Sequence, residues 1–462
     1  MELDKIKAKI AKLSKEKNVE VQVLWDTFFF QELIARLSIS DYKNHFVLKG
    51  GFYLQSVVGV ETRNTMDIDL KIIGKSLSDD ELYCIINDII NMRGNEMINF
   101  EIKSINNIKA ETKYGGKTVK LYASFYNIKK VFSLDIGVGD IVTPNPMKYG
   151  FTSLFYEDKE FDVLAYPIET CMAEKLETII AKGINNSRSK DLLDLYLYES
   201  QNYDCDTFVF ATINTFAFRG SIYDKERILN TIEDVFSNRR IYELYLNYQS
   251  KRSFAKDITF EMCKESVYRL VSKLIFRDKL VLSEYDIEMD LIRHGQDEED
   301  KLGGWSDNHL TSEGISQITS LARTIDGNYD LLISSDLNRA KESAEIISKE
   351  LQMDIVFNQN LREINNGDLR NLTKTQFDES YPNLFFSSLG MDESYPNGES
   401  PTSFYNRVYS EFLRIINENK GKKILIVTHG GVITILLSLV NGYPYSNKLK
   451  IAPSVGAIVK LR

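Results

Sequence analysis

The sequence predicts an α/β protein of two units, a mixed sheet followed by a helical lobe and then a second sheet covered by helices. Three observations carry this expectation. Apolar, strand-like runs end in glycine and pass into helical or loop spacing in HFVLKGGFYLQSVVG, IEMDLIRHGQ and KILIVTHGG, and in open α/β sheets such carboxyl ends are where ligands bind. Between about Tyr166 and Leu280 the apolar spacing is helical, as in PIETCMAEKLETIIAKG, and strand signal restarts at Ile287. The 462 residues also exceed one ordinary core at roughly 100 to 200 residues per domain.

Taken in order, Ile6, Ile10 and Leu13 follow helical spacing, and a second helix carries Val23, Leu24 and Phe28 to about Leu37. The first strand then breaks at Gly50-Gly51. The polar turn GVETRNT leads to MDIDLKII, which alternates like a half-buried strand, and KVFSLDIGVGD reads as another strand. With no repeat and no Pro- or Gly-rich linker, the join between units is short. It is placed between Leu280 and Glu288, giving domains 1–282 and 283–462.

Composition narrows the function. Apolar residues at 43% and charged residues at 27% fit a folded chain and exclude a disordered or collagenous one. The first residues alternate charge with isolated aliphatics, and the apolar run Val432 to Val440 is about half of the roughly 20 residues a membrane span needs. A cytoplasmic protein without a membrane partner is expected. Cys84, Cys171, Cys205 and Cys263 lie far apart with no CxxC pair, which argues for free buried thiols over disulfides or zinc. Residues 285 to 462 carry 18 Lys and Arg against 25 Asp and Glu, so this acidic half is a poor match for a nucleic acid backbone. The first half is near neutral, and Arg239, Arg240, Lys251 and Arg252 read as a solvated helix end.

Of the four histidines, His294 and His429 occupy matching strand-end positions ahead of glycine. Arg339 falls at a strand-to-helix turn and Glu363 on a loop. These residues lie in RHG, GGWSDNHLTSEGISQ, SSDLNRAKESA, LREINNGDL, the GES at Gly398 to Ser400, and THGG. The ordered set closely resembles the histidine phosphatase superfamily, also called phosphoglycerate mutase-like, over essentially all of 287–462. The resemblance implies a three-layer α/β/α domain acting on a phosphorylated small molecule without a cofactor. His294 is then the nucleophile that forms a phosphohistidine. Arg293, Arg339 and His429 clamp the phosphoryl oxygens, as planar guanidinium forks and a third donor. Glu363 is the general acid and later the base, its carboxyl raised by the entering dianion. Trp305 and Thr311 read as packing and helix-capping residues. Mutase and phosphatase both remain open, with hydrolysis the more general outcome. One departure is QDEEDK, where family members often carry a hydroxyl residue and then an asparagine; it places Asp297, Glu298, Glu299 and Asp300 beside the phosphate pocket.

In the first half, Asp67 and Asp69 stand two apart on a strand and project from one face. Paired carboxylates suit magnesium, with Asp135 as the third. Gly50-Gly51 opens a helix whose amides can cradle a triphosphate. FVLKGG, the RxTxDxD at Arg63 to Asp69, and AEKLETIIAKGINNSRSKDLLDLY together resemble the nucleotidyltransferases of the AbiEii/AbiGii type, bacterial abortive-infection and toxin proteins. The resemblance implies that Asp67 and Asp69 bind Mg2+ and that Asp135 completes the set and helps activate the acceptor. Gly50, Gly51, Arg63, Thr65, Lys175 and Lys190 would contact nucleotide or acceptor phosphates, while Asp191 and Asp194 fix the helical lobe by ion pairs. The expected partners are an NTP and an acceptor that is RNA, protein or a small molecule. The leading reading is a bifunctional enzyme. Phe52, where a small or hydroxyl residue is usual, keeps an alternative open, an active phosphatase regulated by a catalytically inactive nucleotide-binding half.

Overall fold

A computed structural model describes residues 3–75, 78–94, 97–108, 115–138, 141–156, 159–298, 301–325, 328–382 and 384–461. The chain divides into two compact units, Met1–Leu274 and Ile275–Arg462.

In the first unit, strands β1 (Phe46–Lys49), β2 (Asp67–Ile72), β3 (Ile98–Asn107), β4 (Gly116–Phe125), β5 (Ile128–Gly137), β6 (Met147–Thr152) and β7 (Glu160–Ala165) form one sheet. Their order is β3-β4-β5-β2-β1-β7-β6. The central β2 runs parallel to β5 and antiparallel to β1, so elements distant in sequence meet at its ends. Helix Val21–Ser38 is buried on almost every side, which its FFF run requires. Its charged residues survive there because they are paired: Arg36 bonds Glu32 at 3.2 Å and the Ile98 carbonyl at 2.8 Å, and Lys130 reaches Asp26 at 2.8 Å. Six helices between Ile168 and Ser272 form the lobe, several started by Asp or Asn caps such as Asp204, Asp224 and Asn238. Arg239 and Arg240 open one of these helices and Lys251 and Arg252 follow its end, so the four exposed cations sit at opposite ends of one helix.

The second unit has β8 (Glu288–Arg293), β9 (Leu331–Ser334), β10 (Ile355–Phe357), β11 (Lys423–Thr428) and β12 (Ile458–Leu461) in the order β10-β9-β11-β8-β12, parallel except for β12. Alternation along β11 splits its side chains between two cores. Ile424 and Ile426 pack with Phe404, Phe412, Ile433 and Leu436 from helices Pro401–Glu418 and Gly430–Asn441. Leu425 and Val427 pack with Ile318, Ala344 and Ile347 from helices Ser312–Ala322 and Asn338–Leu351. This is the three-layer α/β/α arrangement, with strands buried on both faces as parallel sheets require.

The units divide at 274/275 rather than 282/283 because the segment between these points bonds to the second sheet's helices. The Arg277 amide donates to Gly442 O at 2.9 Å and the Leu280 amide to Leu439 O at 3.0 Å. Cys171 and Cys263 are buried, but Cys84 and Cys205 are exposed. Cys84 falls on the outer face of helix Asp79–Ile90, and Cys205 is the first residue of its helix. No helix among the described residues is long and apolar enough to cross a membrane.

Candidate active sites

In the second unit, β8 and β11 pair in parallel with Arg293 level with Thr428. The next residue of each is a histidine, so the register alone brings His294 and His429 side by side, their rings 5.2 Å apart. His294 Nδ1 lies 2.8 Å from the Gly295 carbonyl. A carbonyl only accepts, so Nδ1 carries the hydrogen and Nε2 keeps its lone pair. Arg339 Nε donates toward that lone pair at 3.3 Å. The rest of the Arg339 fork is held by the Gly304 carbonyl at 2.7 Å and the Ser306 carbonyl at 3.3 Å, although the residue is only 2% exposed. His429 Nε2 meets Ser335 Oγ at 2.7 Å, while its Nδ1 and the Arg293 Nε are buried without a partner. Buried polar atoms usually find partners, so two orphans around His294 fit a site shaped for an anionic ligand.

Burial, then Arg339, and Arg293 behind it, hold the His294 imidazole well below the usual histidine range. Burial, Arg339 and His294 do the same for His429. Both rings are neutral in the folded unit at pH 7, whereas in the unfolded chain each takes a proton near pH 6.5. The unfolded state binds more protons below that point, so stability is full above about pH 6.5 and falls as pH drops through it, until the depressed folded values are reached. Once both unfolded rings are charged, the slope approaches about 2.7 kcal/mol per pH unit. Urea titrations at pH 7.5 and 5.5 are expected to show the loss, and to show less of it for His429→Asn.

Glu363 is fixed from several directions. Its carboxylate accepts the Gly431 amide at 3.0 Å and the Ile364 amide at 3.1 Å. A methyl group on Gly431 would overlap Glu363 Oε1, so any larger residue there would push this carboxylate from its place. The Glu363 carbonyl takes Trp305 Nε1 at 2.7 Å and Arg407 Nη2 at 3.1 Å, and Arg407 is itself held by both oxygens of Glu399. Trp305 therefore does more than pack. Thr311 caps its helix by accepting the Gly314 amide at 3.1 Å. Sequence reasoning missed Ser335 and Arg407; the Glu399-x7-Arg407 spacing across a helix start was the available signal for the second.

Among the acids of QDEEDK, Asp297 turns toward the clamp, 3.5 Å from Arg339 Nε, and Glu298 accepts the His309 amide. Glu299 and Asp300 lie outside the described residues. Replacing Asp297 by Ser is expected to tighten inhibition by inorganic phosphate roughly tenfold, since a unit charge about 4 Å away is worth about 1 to 4 kcal/mol depending on screening. An unchanged inhibition constant would mean that the carboxylate moves clear of the anion.

In the first unit, Lys49 ends β1 and Gly50, at φ +68°, turns the chain into helix Gly50–Val58. Asp69 stands opposite Lys49 across β1 and level with Asp135 across β5. Its carboxylate accepts the Gly51 amide at 3.3 Å and lies where any side chain on Gly50 would be. Asp135 accepts Thr118 Oγ1 at 2.6 Å. Partial desolvation, then repulsion from Asp135 and Asp69, raises the Asp67 carboxyl above its ordinary value, with Lys190 pulling the other way. The register thus places the three carboxylates within reach of one another. They are not gathered as ligands, and among the described residues no group of three His, Cys, Asp or Glu has metal-holding geometry. The donor set, oxygen only and mutually repulsive, fits a hard divalent cation.

Arg63 and Lys175 have other engagements. Arg63 Nε bonds Asp194 at 2.7 Å, and Lys175 Nζ bonds Asp194 at 2.7 Å and Asp191 at 3.2 Å. Burial pulls the Lys175 ammonium down, but the two carboxylates outweigh it and hold it above its usual range. Thr65 Oγ1 and the Arg63 guanidinium lie under Gly51, closing the space where a side chain would go. The network ties helix Ser189–Glu199 to the glycine turn, and Lys190 is left as an exposed cation near Asp67. The Phe52 ring is buried against Phe151 and Phe30 at 5.3 Å each.

Residues 32–270 match the family model described as nucleotidyl transferase AbiEii toxin of a type IV toxin–antitoxin system, and residues 289–462 match branch 1 of the histidine phosphatase superfamily. Similar curated proteins include phosphoglycerate mutase-like protein 4 of Arabidopsis thaliana, 33% identical over 155 residues, 32% of this chain and 67% of that protein. Probable phosphoglycerate mutase GpmB of Escherichia coli is 32% identical over 165 residues, 34% of this chain and 76% of the relative. Among solved structures, the alpha-ribazole phosphatase of Shigella flexneri is 25% identical with a TM-score of 0.35, covering 37% of this chain and 89% of its own.

Proposed function

Because this chain belongs to the AbiEii nucleotidyl transferase family over residues 32–270 and to the histidine phosphatase superfamily over residues 289–462, we propose that it joins a phosphohistidine-forming phosphohydrolase to a magnesium-dependent nucleotidyltransferase. The observation that carries the first activity is the neutral His294 whose Nδ1 is pinned to Gly295 O, leaving Nε2 to react. A phosphoryl group entering among Arg293, Arg339 and His429 displaces the long Arg339 bond to Nε2. Nε2 attacks phosphorus as the ester P–O bond breaks, and Glu363 gives its proton to the departing oxygen. Water then attacks phosphorus, Glu363 takes the water's proton, and the N–P bond breaks to release phosphate. The clamp spreads the phosphoryl charge over fixed donors, so the reaction needs no metal.

Hydrolysis of a generic aryl phosphate in EDTA tests this half. Glu363→Gln is expected to slow turnover about 10²- to 10⁴-fold, with phosphate inhibition nearly unchanged. An unaffected kcat would reassign the acid.

For the first half, Asp67, Asp69 and Asp135 would hold Mg2+, which when bound neutralises triphosphate charge and steadies the attacking oxygen. Gly50 and Gly51 present backbone amides to the phosphates, and Lys190 supplies the exposed charge. Arg63, Thr65 and Lys175 hold this turn and lobe in place. Phe52 packs in the core beside Phe30 and Phe151, and the alternative of a regulatory, catalytically inactive nucleotide-binding half rests on the hydroxyl that this position lacks. The toxin in the family's description supports a toxin-like role; the reading also takes the protein to act in the cytoplasm, with RNA, protein or a small molecule as acceptor. Incubation with each labelled NTP, magnesium and cell extract, followed by separation of the three classes, tests it. No transfer to any class would overturn this activity.

A further inference from the structure

Asp297 stands against the phosphatase clamp, and the reaction scheme gives it no part. A single guanidinium nitrogen links it to the nucleophile: Arg339 Nε lies 3.3 Å from His294 Nε2 and 3.5 Å from Asp297 Oδ2. The carboxylate is held there by its own backbone. Asp297 pairs with Leu310 in a β-bridge, and its neighbours are tied to the same stretch, the Glu298 amide to the His309 carbonyl at 3.0 Å and the Thr311 amide to the Gln296 carbonyl at 2.9 Å. Asp297 Oδ2 also accepts Asn308 Nδ2 at 3.3 Å. Asn308 is 1% exposed, and its Nδ2 has a second acceptor in the Glu298 carbonyl at 3.0 Å. Those two acceptors fix which way the amide points, and its Oδ1 is left buried without a partner among the described residues. An unsatisfied buried acceptor costs stability, and here it accompanies the fixing of a negative charge beside a site for a dianion. Both side-chain contacts of Asp297 fall on Oδ2, and 21% of the side chain stays accessible.

We propose that Asp297 is a specificity-determining residue of the phosphatase and that the substrate is the phosphomonoester of an amino alcohol, whose ammonium group pairs with this carboxylate. The inference rests on the phosphohistidine reading of His294. When a phosphoryl group takes the Arg339 fork, Asp297 gives up its cationic neighbour to the dianion, and the carboxylate then weakens the binding of an ordinary ester by repulsion. An ammonium two or three carbons from the ester oxygen reverses the sign. It stays close to the phosphate, where it meets a carboxylate that shares Arg339 Nε with the nucleophile, and it replaces the guanidinium as the partner of Asp297. An ester that carries a carboxylate in place of the ammonium has the wrong charge for this position. The ammonium takes no part in bond making, so the P–O and N–P steps are unchanged.

The test uses the full chain in EDTA with O-phosphoethanolamine and n-propyl phosphate, in which a methyl group replaces the ammonium. The ratio of their kcat/KM values is measured for the wild type, Asp297→Asn and Asp297→Ser. Comparing this ratio between proteins cancels both the unequal leaving abilities of the two alcohols and any loss of folded protein. Asparagine keeps the shape and an oxygen for Asn308, so Asp297→Asn removes the charge alone. Each substitution is expected to lower the ratio about tenfold in disfavour of the amino ester, the scale of a screened unit charge at close range. A carboxylate that only holds Arg339 in place would change both rates together. A ratio that neither substitution lowers would therefore overturn the inference and leave the phosphohistidine reading standing, as would a wild type that hydrolyses an aryl phosphate but not O-phosphoethanolamine. Failure on the aryl phosphate as well would overturn that reading and this inference with it.

Discussion

His294→Ala is expected to lose aryl phosphatase activity by on the order of 10⁴-fold or more, the scale on which removal of a covalent nucleophile is felt. The phosphoenzyme that acid quenching traps from the wild type should disappear with it. The reasoning is local. His294 is the ring whose unprotonated Nε2 faces the Arg339 fork, while the other histidine of the pair is turned to Ser335 and is not expected to take over. Arg293, Arg339 and His429 remain in the variant and still bind anions, so inhibition by vanadate should persist while turnover does not. Undiminished hydrolysis, or hydrolysis that requires a divalent metal, would remove the histidine mechanism.

Asp69→Asn should abolish nucleotidyl transfer, a fall of at least about 10²-fold, comparable to losing a preorganised electrostatic contact, while aryl phosphate hydrolysis continues. Asparagine keeps the shape, and its Oδ1 can still accept the Gly51 amide, so the strand and the glycine turn persist. What disappears is a negative charge level with Asp135 and opposite the turn, the position from which a hard cation would be held. Asp67→Asn should act in the same direction. Transfer that survives both substitutions would show that these carboxylates bind no catalytic metal.

Much of the second site could be read in the chain because its parts are short and local. RHG and THGG each mark the end of a buried strand, and two parallel strands in register bring such ends together without further information. Glu363 was readable as a loop acid, but the donors that aim it were not: Arg407 on an amphipathic helix looks like any solvated arginine until Glu399 and the carbonyls of the Glu363 loop surround it. The first site shows the same limit more strongly. Arg63 and Lys175 carry motif positions that suggested ligand contacts, yet their partner Asp194 lies 131 residues beyond Arg63, a pairing only the folded lobe reveals. Asp135 was legible because it sits on a strand with a clear pattern. Strands β3, β4, β6 and β7 were not singled out; β6 in particular is a largely exposed edge strand with a weak apolar signal. Phe52 was visible, but only its packing against Phe151 shows that it serves the core.

The bond from His294 Nδ1 to the neighbouring carbonyl would also select a chemical isomer. Phosphohistidine exists in two forms, linked through one ring nitrogen or the other, and here one nitrogen already carries its hydrogen and gives it to Gly295. A phosphohistidine formed on this ring would be linked through Nε2, the more durable of the two forms toward spontaneous hydrolysis. Under the proposed mechanism, the lifetime of that intermediate would be governed by the water that Glu363 activates. A single phosphohistidine resonance in a 31P spectrum of the trapped enzyme would be its signature.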